Sequence, residues 1–259
     1  MNKTNCVLIC FLLLIISGCI SGKVPEIAKG PIAPPCGILA KIAMPSPGDG
    51  IIRATADITL STYEGRYSRK TALLLKRPAS MRIETVPVFG PADFFFSANE
   101  KYLKVFLPGE AKFYVGKATK ENFFLFFKVP LSPGDMVSML VGLPPQIMEG
   151  NISEYMEGKK YRFDIRSGQR KQSLWVSPED YRLTKIEEID DGRLIYRATF
   201  ADSITVGGAS YPGKIDIETE NPEKVSLHIL YRNLDVLPDE NTELFDLQTP
   251  CGLSPVFVD

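Results

Sequence analysis

Ile51-Ile52-Arg53-Ala54-Thr55-Ala56-Asp57-Ile58-Thr59-Leu60 sets Ala54, Ala56, Ile58 and Leu60 against Arg53, Thr55, Asp57 and Thr59. Successive side chains of an extended chain point to opposite faces, so this stretch reads as a strand with one apolar face and one wet face. The same period of two returns along the chain. Met81 and Ile83 alternate with Arg82 and Glu84, and Leu103, Val105 and Leu107 share a face opposite Lys104. Tyr161, Phe163 and Ile165 stand against Arg162, Asp164 and Arg166, and Leu194, Tyr196, Ala198 and Phe200 against Arg193, Arg197 and Thr199. Ile215 and Ile217, then Val225, Leu227, Ile229 and Tyr231, complete the series.

Turn signals separate these runs at short intervals: Glu64-Gly65, Ala98-Asn99-Glu100, Pro108-Gly109, Asp190-Asp191-Gly192, Gly207-Gly208 and Pro212-Gly213. Consecutive hairpins are the economical connection, which makes the chain mainly β and its sheet antiparallel. About ten or eleven strands are expected, too many for a flat open sheet without curling.

Two places break the alternation. Ser132-Pro133-Gly134-Asp135 reads as a helix start, followed by Met136, Val137, Met139, Leu140 and Val141 before Gly142 and Pro144 end it. Pro238-Asp239-Glu240-Asn241 opens a second short turn through Leu244 and Phe245. Phe94-Phe95-Phe96 and Phe123-Phe124-Leu125-Phe126-Phe127 have no polar face, which fits either a strand covered on both sides or the wall of an apolar cavity. A small apolar helix closing a curved sheet would enclose such a cavity, with Met136 and Met139 supplying adaptable contacts.

The first 18 residues read as a secretion signal: Lys3, then an apolar run from Val7 to Ile16. That run is about ten residues, half of what a spanning helix needs. Ile16-Ser17-Gly18-Cys19 resembles the bacterial lipobox, a branched apolar residue and two small ones before the cysteine that receives lipid. Residues 1–18 are then a lipoprotein signal peptide, 19–50 a lipid-anchored tether dense in Pro and Gly, and 51–259 the folded body. Ile38 to Met44 is a short ordered patch in the tether, one helical turn or an edge strand. Ile20 follows the cysteine where an aspartate would resemble an inner-membrane retention signal, so the outer membrane, facing the periplasm, is the expected location.

Of five cysteines, Cys6 and Cys10 leave with the signal and Cys19 is acylated. Cys36 and Cys251 remain, in matching Pro-Cys-Gly contexts, and a disulfide between them is expected in an oxidising compartment. Two separate buried thiols are the alternative; a metal site is poor because no histidine or second cysteine lies beside either.

The 259 residues carry 30 Lys and Arg against 31 Asp and Glu, a balance that attracts neither nucleic acid nor acidic lipid. The single histidine, His228, falls on the polar face of its strand, so a Ser-His-Asp or Cys-His arrangement would need it to turn inward. Glu187-Glu188 and Asp190-Asp191 read as a solvated hairpin beside Gly192, and neither a zinc cluster nor a phosphate loop is visible. No enzyme activity, metal or cofactor is expected.

From about residue 51 to 250 the chain resembles the LolA/LolB-like lipoprotein carriers. The resemblance rests on the order and spacing of short landmarks: Lys76-Arg77-Pro78 into Arg82-Ile83, Tyr102 to Pro108, Leu131-Ser132-Pro133 and Leu140 to Pro144, Ala201-Asp202 before Val206, Tyr211-Pro212 into Ile215, and Leu244 to Leu247 before Pro250. It implies a half-open antiparallel β-barrel whose short helical lid plugs a hydrophobic cavity for acyl chains. The long amino-terminal helix usual in that family is replaced here by the Pro/Gly-rich stretch. Face assignment then gives the expected ligand-binding residues: Ile58, Leu60, Met81, Ile83, Leu103, Val105, Phe113 and Val115 on the strands, with Met136, Met139 and Leu140 on the lid. The function implied is a tethered module that binds acyl chains or lipidated clients, with envelope proteins as further partners. The alternative is a scaffold lipoprotein of an envelope complex whose cavity is filled by its own side chains.

Overall fold

The alternating stretch at residue 51 forms β1 (Ile51–Thr62), which turns at Tyr63-Glu64 into β2 (Gly65–Lys76). The structure is a computed structural model describing residues 37–43, 50–220, 222–239 and 242–258. The signal, Cys19, Cys36 and most of the 19–50 tether lie outside these residues. The ordered patch expected near residue 38 is a helix, α1 (Ile38–Ala43), and Ile38 and Ile42 are buried in the core.

Hairpins continue through β3 (Ser80–Thr85), β4 (Phe95–Ala98), β5 (Tyr102–Leu107) and β6 (Lys112–Lys117). Two helices follow, α2 (Lys120–Phe127) and α3 (Pro133–Leu140). A second meander then runs through β7 (Asn151–Glu157), β8 (Lys160–Ser167), β9 (Arg170–Val176), β10 (Leu183–Asp190), β11 (Arg193–Val206), β12 (Ala209–Thr219) and β13 (Val225–Leu237). β13 pairs antiparallel with β1 and joins the two meanders. The tail strand β14 (Pro255–Val258) lies parallel to β6. The result is one sheet of 14 strands with β14 and β7 at its two edges, against the expected ten or eleven.

Both helices lie on one face, the inner face. Thr119 caps α2, its side chain accepting from the Asn122 amide at 3.2 Å, and Lys128 ends it in the left-handed region. Ser132 and Asp135 form a full capping box on α3, with Pro133 in the first turn. Gly142 at φ +80° stops it, its amide donating to Met139 O and that of Leu143 to Ser138 O. The Phe123 to Phe127 run is therefore helical, not a strand: capping signals on both sides outweigh a composition that carries no period of its own.

A bulge in β13 changes the pairing from Thr55–Asn233 to Ala56–Tyr231, skipping Arg232. Leu234 and Tyr231 thereby both turn inward and enter the core. On the other face, the tail covers β3 to β5. Arg82 Nη1 donates to Leu244 O at 2.9 Å, Lys104 Nζ pairs with Asp246 at 2.7 Å, and the Ser97 hydroxyl donates to Phe245 O. Cys251 is exposed just before β14, and the bridge expected to Cys36 falls outside the described residues. Among the described residues no helix is long and apolar enough to cross a membrane.

Candidate functional site

Residues directly opposite on antiparallel strands share a face, so the register maps the inner surface. Leu75, Met81, Ala98 and Leu103 form one row, and Leu73, Ile83, Phe96 and Val105 the next. Ile58 and Leu60 continue this face along β1, paired with Ile229 and Leu227, and remain half-buried.

Phe113 and Val115 do not join them. Val105 stands opposite Tyr114 and Phe106 opposite Phe113, so it is Tyr114 that faces inward, where its ring meets Phe126 at 5.5 Å. Phe113 is buried on the outer face beside Phe106, with ring centroids 6.5 Å apart, and lies outside the main core cluster. Both faces of β6 carry apolar residues, which is why alternation alone put it in the wrong register.

The helices fill the inner face. Phe123 and Phe127 stack at 4.4 Å and meet Phe96 edge-on at 5.7 and 4.8 Å. Met136, Met139 and Leu140 of α3 are buried in the same cluster as Met81, Ile83, Leu103 and Val105. The Tyr231 hydroxyl, fully buried, fastens the end of α3 by donating to Leu140 O. The sequence-assigned pocket is thus an apolar interface between sheet and lid, with nine of its residues on the correct face. Neither of the two larger clefts takes a wall from them.

Those clefts flank the segment after α3. One, of about 560 Å³, lies between Arg77–Ala79, Asn99, Glu100 and the start of α3. The other, of about 450 Å³, is walled by Lys120, Leu131, Asp135, Met148, Arg170, Glu188 and Tyr196. Pro145, Gln146 and Ile147 border both. Gln172 pins this strap: its Oε1 accepts from Met148 N at 3.1 Å and its Nε2 donates to Gln146 O at 3.2 Å.

The outer face of β7 to β11 carries a charged network. Asp164, buried, accepts from Tyr155 at 2.7 Å, Ser173 at 2.7 Å and Arg162 at 2.8 Å, with Lys171 at 3.1 Å. Burial by itself would raise its pKa, but the hydrogen bonds from Ser173, Tyr155, Arg162 and Lys171 prevail and hold it at about 2. Arg162 and Lys185 lie over the Trp175 ring, 4.6 and 4.2 Å from its centroid. His228 Nδ1 pairs with Asp216 on the outer face, on its polar side as its alternation implies. Among the described residues no group of three His, Cys, Asp or Glu is placed to hold a metal.

Sequence reasoning passed over the loop between β3 and β4. Val88 and Phe89 are 88% and 91% exposed, between Pro87 and Gly90-Pro91. Two large apolar residues inside Pro/Gly punctuation, where loops are normally polar, were the available signal.

No family model matches the chain, and no curated protein does. Solved structures do. A putative outer membrane lipoprotein-sorting protein domain from Vibrio parahaemolyticus superposes with a TM-score of 0.59 at 16% identity, over 81% of this chain and 94% of that one. A LolA superfamily protein from Nitrosomonas europaea gives 0.56 at 15% identity, over 82% and 96%. A DUF1329 family protein from Desulfovibrio piger gives 0.54 at 14%, over 81% and 94%. The chain has the LolA/LolB-like fold.

Proposed function

We propose that this chain is a binding module for acyl chains or lipidated clients, held by lipid on Cys19 at the outer membrane and facing the periplasm. The observation that carries the reading is the lid. The inner face is mainly apolar over two meanders, and what covers it near β3 to β6 is a pair of eight-residue helices, each too short to persist without its packing. An acyl chain entering beneath them replaces apolar contacts with apolar contacts. Opening exposes Phe123, Phe127, Met136 and Met139, and a ligand must offset that cost. The Vibrio parahaemolyticus neighbour, whose name speaks of outer membrane lipoprotein sorting, supports the reading through its fold. Val88 and Phe89, on an exposed loop tip, suit contact with a bilayer. No covalent step and no cofactor enters. A Cys36–Cys251 bridge would tie the tether to the tail; mass measurement of non-reduced peptides tests it, and alkylation of both thiols in the unreduced mature protein would exclude it.

Native mass spectrometry after mild extraction tests the carrier reading. A co-purifying lipid or acylated peptide, and uptake of an apolar fluorophore by the emptied protein, are expected. One observation favours the second reading, a scaffold lipoprotein in an envelope complex with envelope protein partners: Met81, Leu103, Val105 and Met139 are completely buried, so the chain's own side chains fill the space. An empty protein that refuses the fluorophore would establish that alternative. Cys19→Ala is expected to release the protein from membranes.

A further inference from the structure

Inner-face pairing places Gln172 opposite Glu188 and Glu188 opposite Tyr196, a polar row across β9, β10 and β11 on a mainly apolar face. All three are buried, and their hydrogen-bonding capacity is unevenly used. Gln172 spends both ends of its amide on the strap at Gln146 and Met148. Glu188 accepts from Arg170. The Tyr196 hydroxyl, in a residue 2% exposed, makes no hydrogen bond of normal geometry among the described residues, although Gln172 and Glu188 lie close enough to act on it. An unpaired buried hydroxyl is costly enough that one in a native protein calls for a role. Tyr196 is among the residues lining the cleft of about 450 Å³.

The same cleft borders the apolar interior. Leu131 and Tyr196 belong to the core cluster that contains Met136 and Met139, and Ile147 and Met148 pack against it. A polar mouth over an apolar floor fits an amphiphile with its head in the cleft and its chain beneath the lid. The charges at the mouth are mixed, Lys120 and Arg170 against Asp135, Glu149 and Glu188, with Arg170 already tied to Glu188. That balance gives no preference for an anion. Besides the exposed Lys120 ammonium at the mouth, the donor left free inside the cleft is the Tyr196 hydroxyl, which suits a neutral acceptor.

We propose that this cleft is the head-group subsite of the acyl-binding cavity, with the Tyr196 hydroxyl donating to the acyl carbonyl of the ligand, whether ester or amide. The proposal rests on the carrier reading above. Burial keeps the phenol protonated, its pKa pushed well above the ordinary value, so it serves as a donor at any physiological pH.

Three probes of matched length test it on the mature, emptied protein: 1-palmitoylglycerol with an ester carbonyl, N-palmitoylethanolamine with an amide carbonyl, and 1-O-hexadecylglycerol with none. The wild type is expected to bind at least one carbonyl probe about three- to tenfold more tightly than the ether, the range one net hydrogen bond supplies. Preference for the ester alone identifies a glycerolipid head, and for the amide alone an N-acylated terminus. Tyr196→Phe should erase the preference, keep ether binding, and melt no lower than the wild type, since it removes an unpaired group. A preference that survives in Tyr196→Phe, or ether bound as well as both carbonyl probes by the wild type, overturns the subsite and leaves the carrier standing. Refusal of all three probes by both proteins overturns both.

Discussion

The Tyr231 hydroxyl donates to the carbonyl oxygen of Leu140 at 2.9 Å, joining the bulged part of β13 to the last turn of α3 inside the core. Last-turn carbonyls have no intrahelical partner, and this one is satisfied by the sheet the helix covers. Tyr231→Phe keeps the ring and strands the carbonyl. It should cost about 1–3 kcal/mol in urea unfolding and speed entry of an apolar fluorophore. Lost stability with an unchanged entry rate would mean that α3 is not the part that moves.

Gly142 ends that helix at φ +80°, and a Cβ there would lie 2.8 Å from Pro212 Cδ. Gly142→Ala combines a left-handed penalty of about 1–2 kcal/mol with displacement of the proline. Gly207 is the control: it sits at φ +60° with nothing within 4 Å of its added Cβ, so Gly207→Ala incurs the backbone penalty alone. The denaturation midpoint should fall further for Gly142→Ala. Equal losses would show that the Pro212 contact gives way freely.

Strands with one wet face were legible, and β1, β3, β5, β8, β11, β12 and β13 lie where alternation puts them. β2 was not, because Arg66 to Lys70 project beyond the core and are exposed on both faces, leaving no period to read. β14 was hidden for a different reason: it pairs through its backbone with β6 while Pro255, Val256 and Phe257 stay exposed. The site divides in the same way. Met81, Ile83, Leu103 and Val105 follow from one-sided burial, and Phe113 and Val115 fail because β6 carries apolar residues on both faces. Tyr196 was visible as an inward tyrosine, but only pairing brings it beside Gln172 and Glu188.

Val88 and Phe89 make no core contribution, so Val88→Asp and Phe89→Asp should each change stability by less than about 0.5 kcal/mol. Cys19→Ala leaves at most the weak affinity of this loop, so with an excess of lipid vesicles the double substitution is expected to lower the residual fraction that co-sediments. Undiminished sedimentation would remove this loop from the membrane contact.

Asp164 titrates at about 2 in the folded chain against 3.8 as a free carboxyl. A depressed carboxylate stabilises the fold above its unfolded pKa and loses that contribution as pH falls to the folded value. The gap corresponds to about 2 kcal/mol, present at pH 5 and lost between pH 4 and about 2. Asp164→Asn should be less stable at neutral pH, with a smaller fall across that interval. Parallel stability profiles for the two proteins would assign acid sensitivity elsewhere.

Arg53 and Asp235, paired across the seam between β1 and β13, are 182 residues apart in sequence. As the chain is made from its amino end, β1 acquires β2 at once through a two-residue turn, but its other flank waits for nearly the whole body to emerge. During that interval the first meander carries an open edge of apolar residues, available to any passing extended segment. The step that closes the seam is therefore the point at which a nascent chain either completes itself or is captured by a chaperone or another copy, and β13 is where its folding is decided.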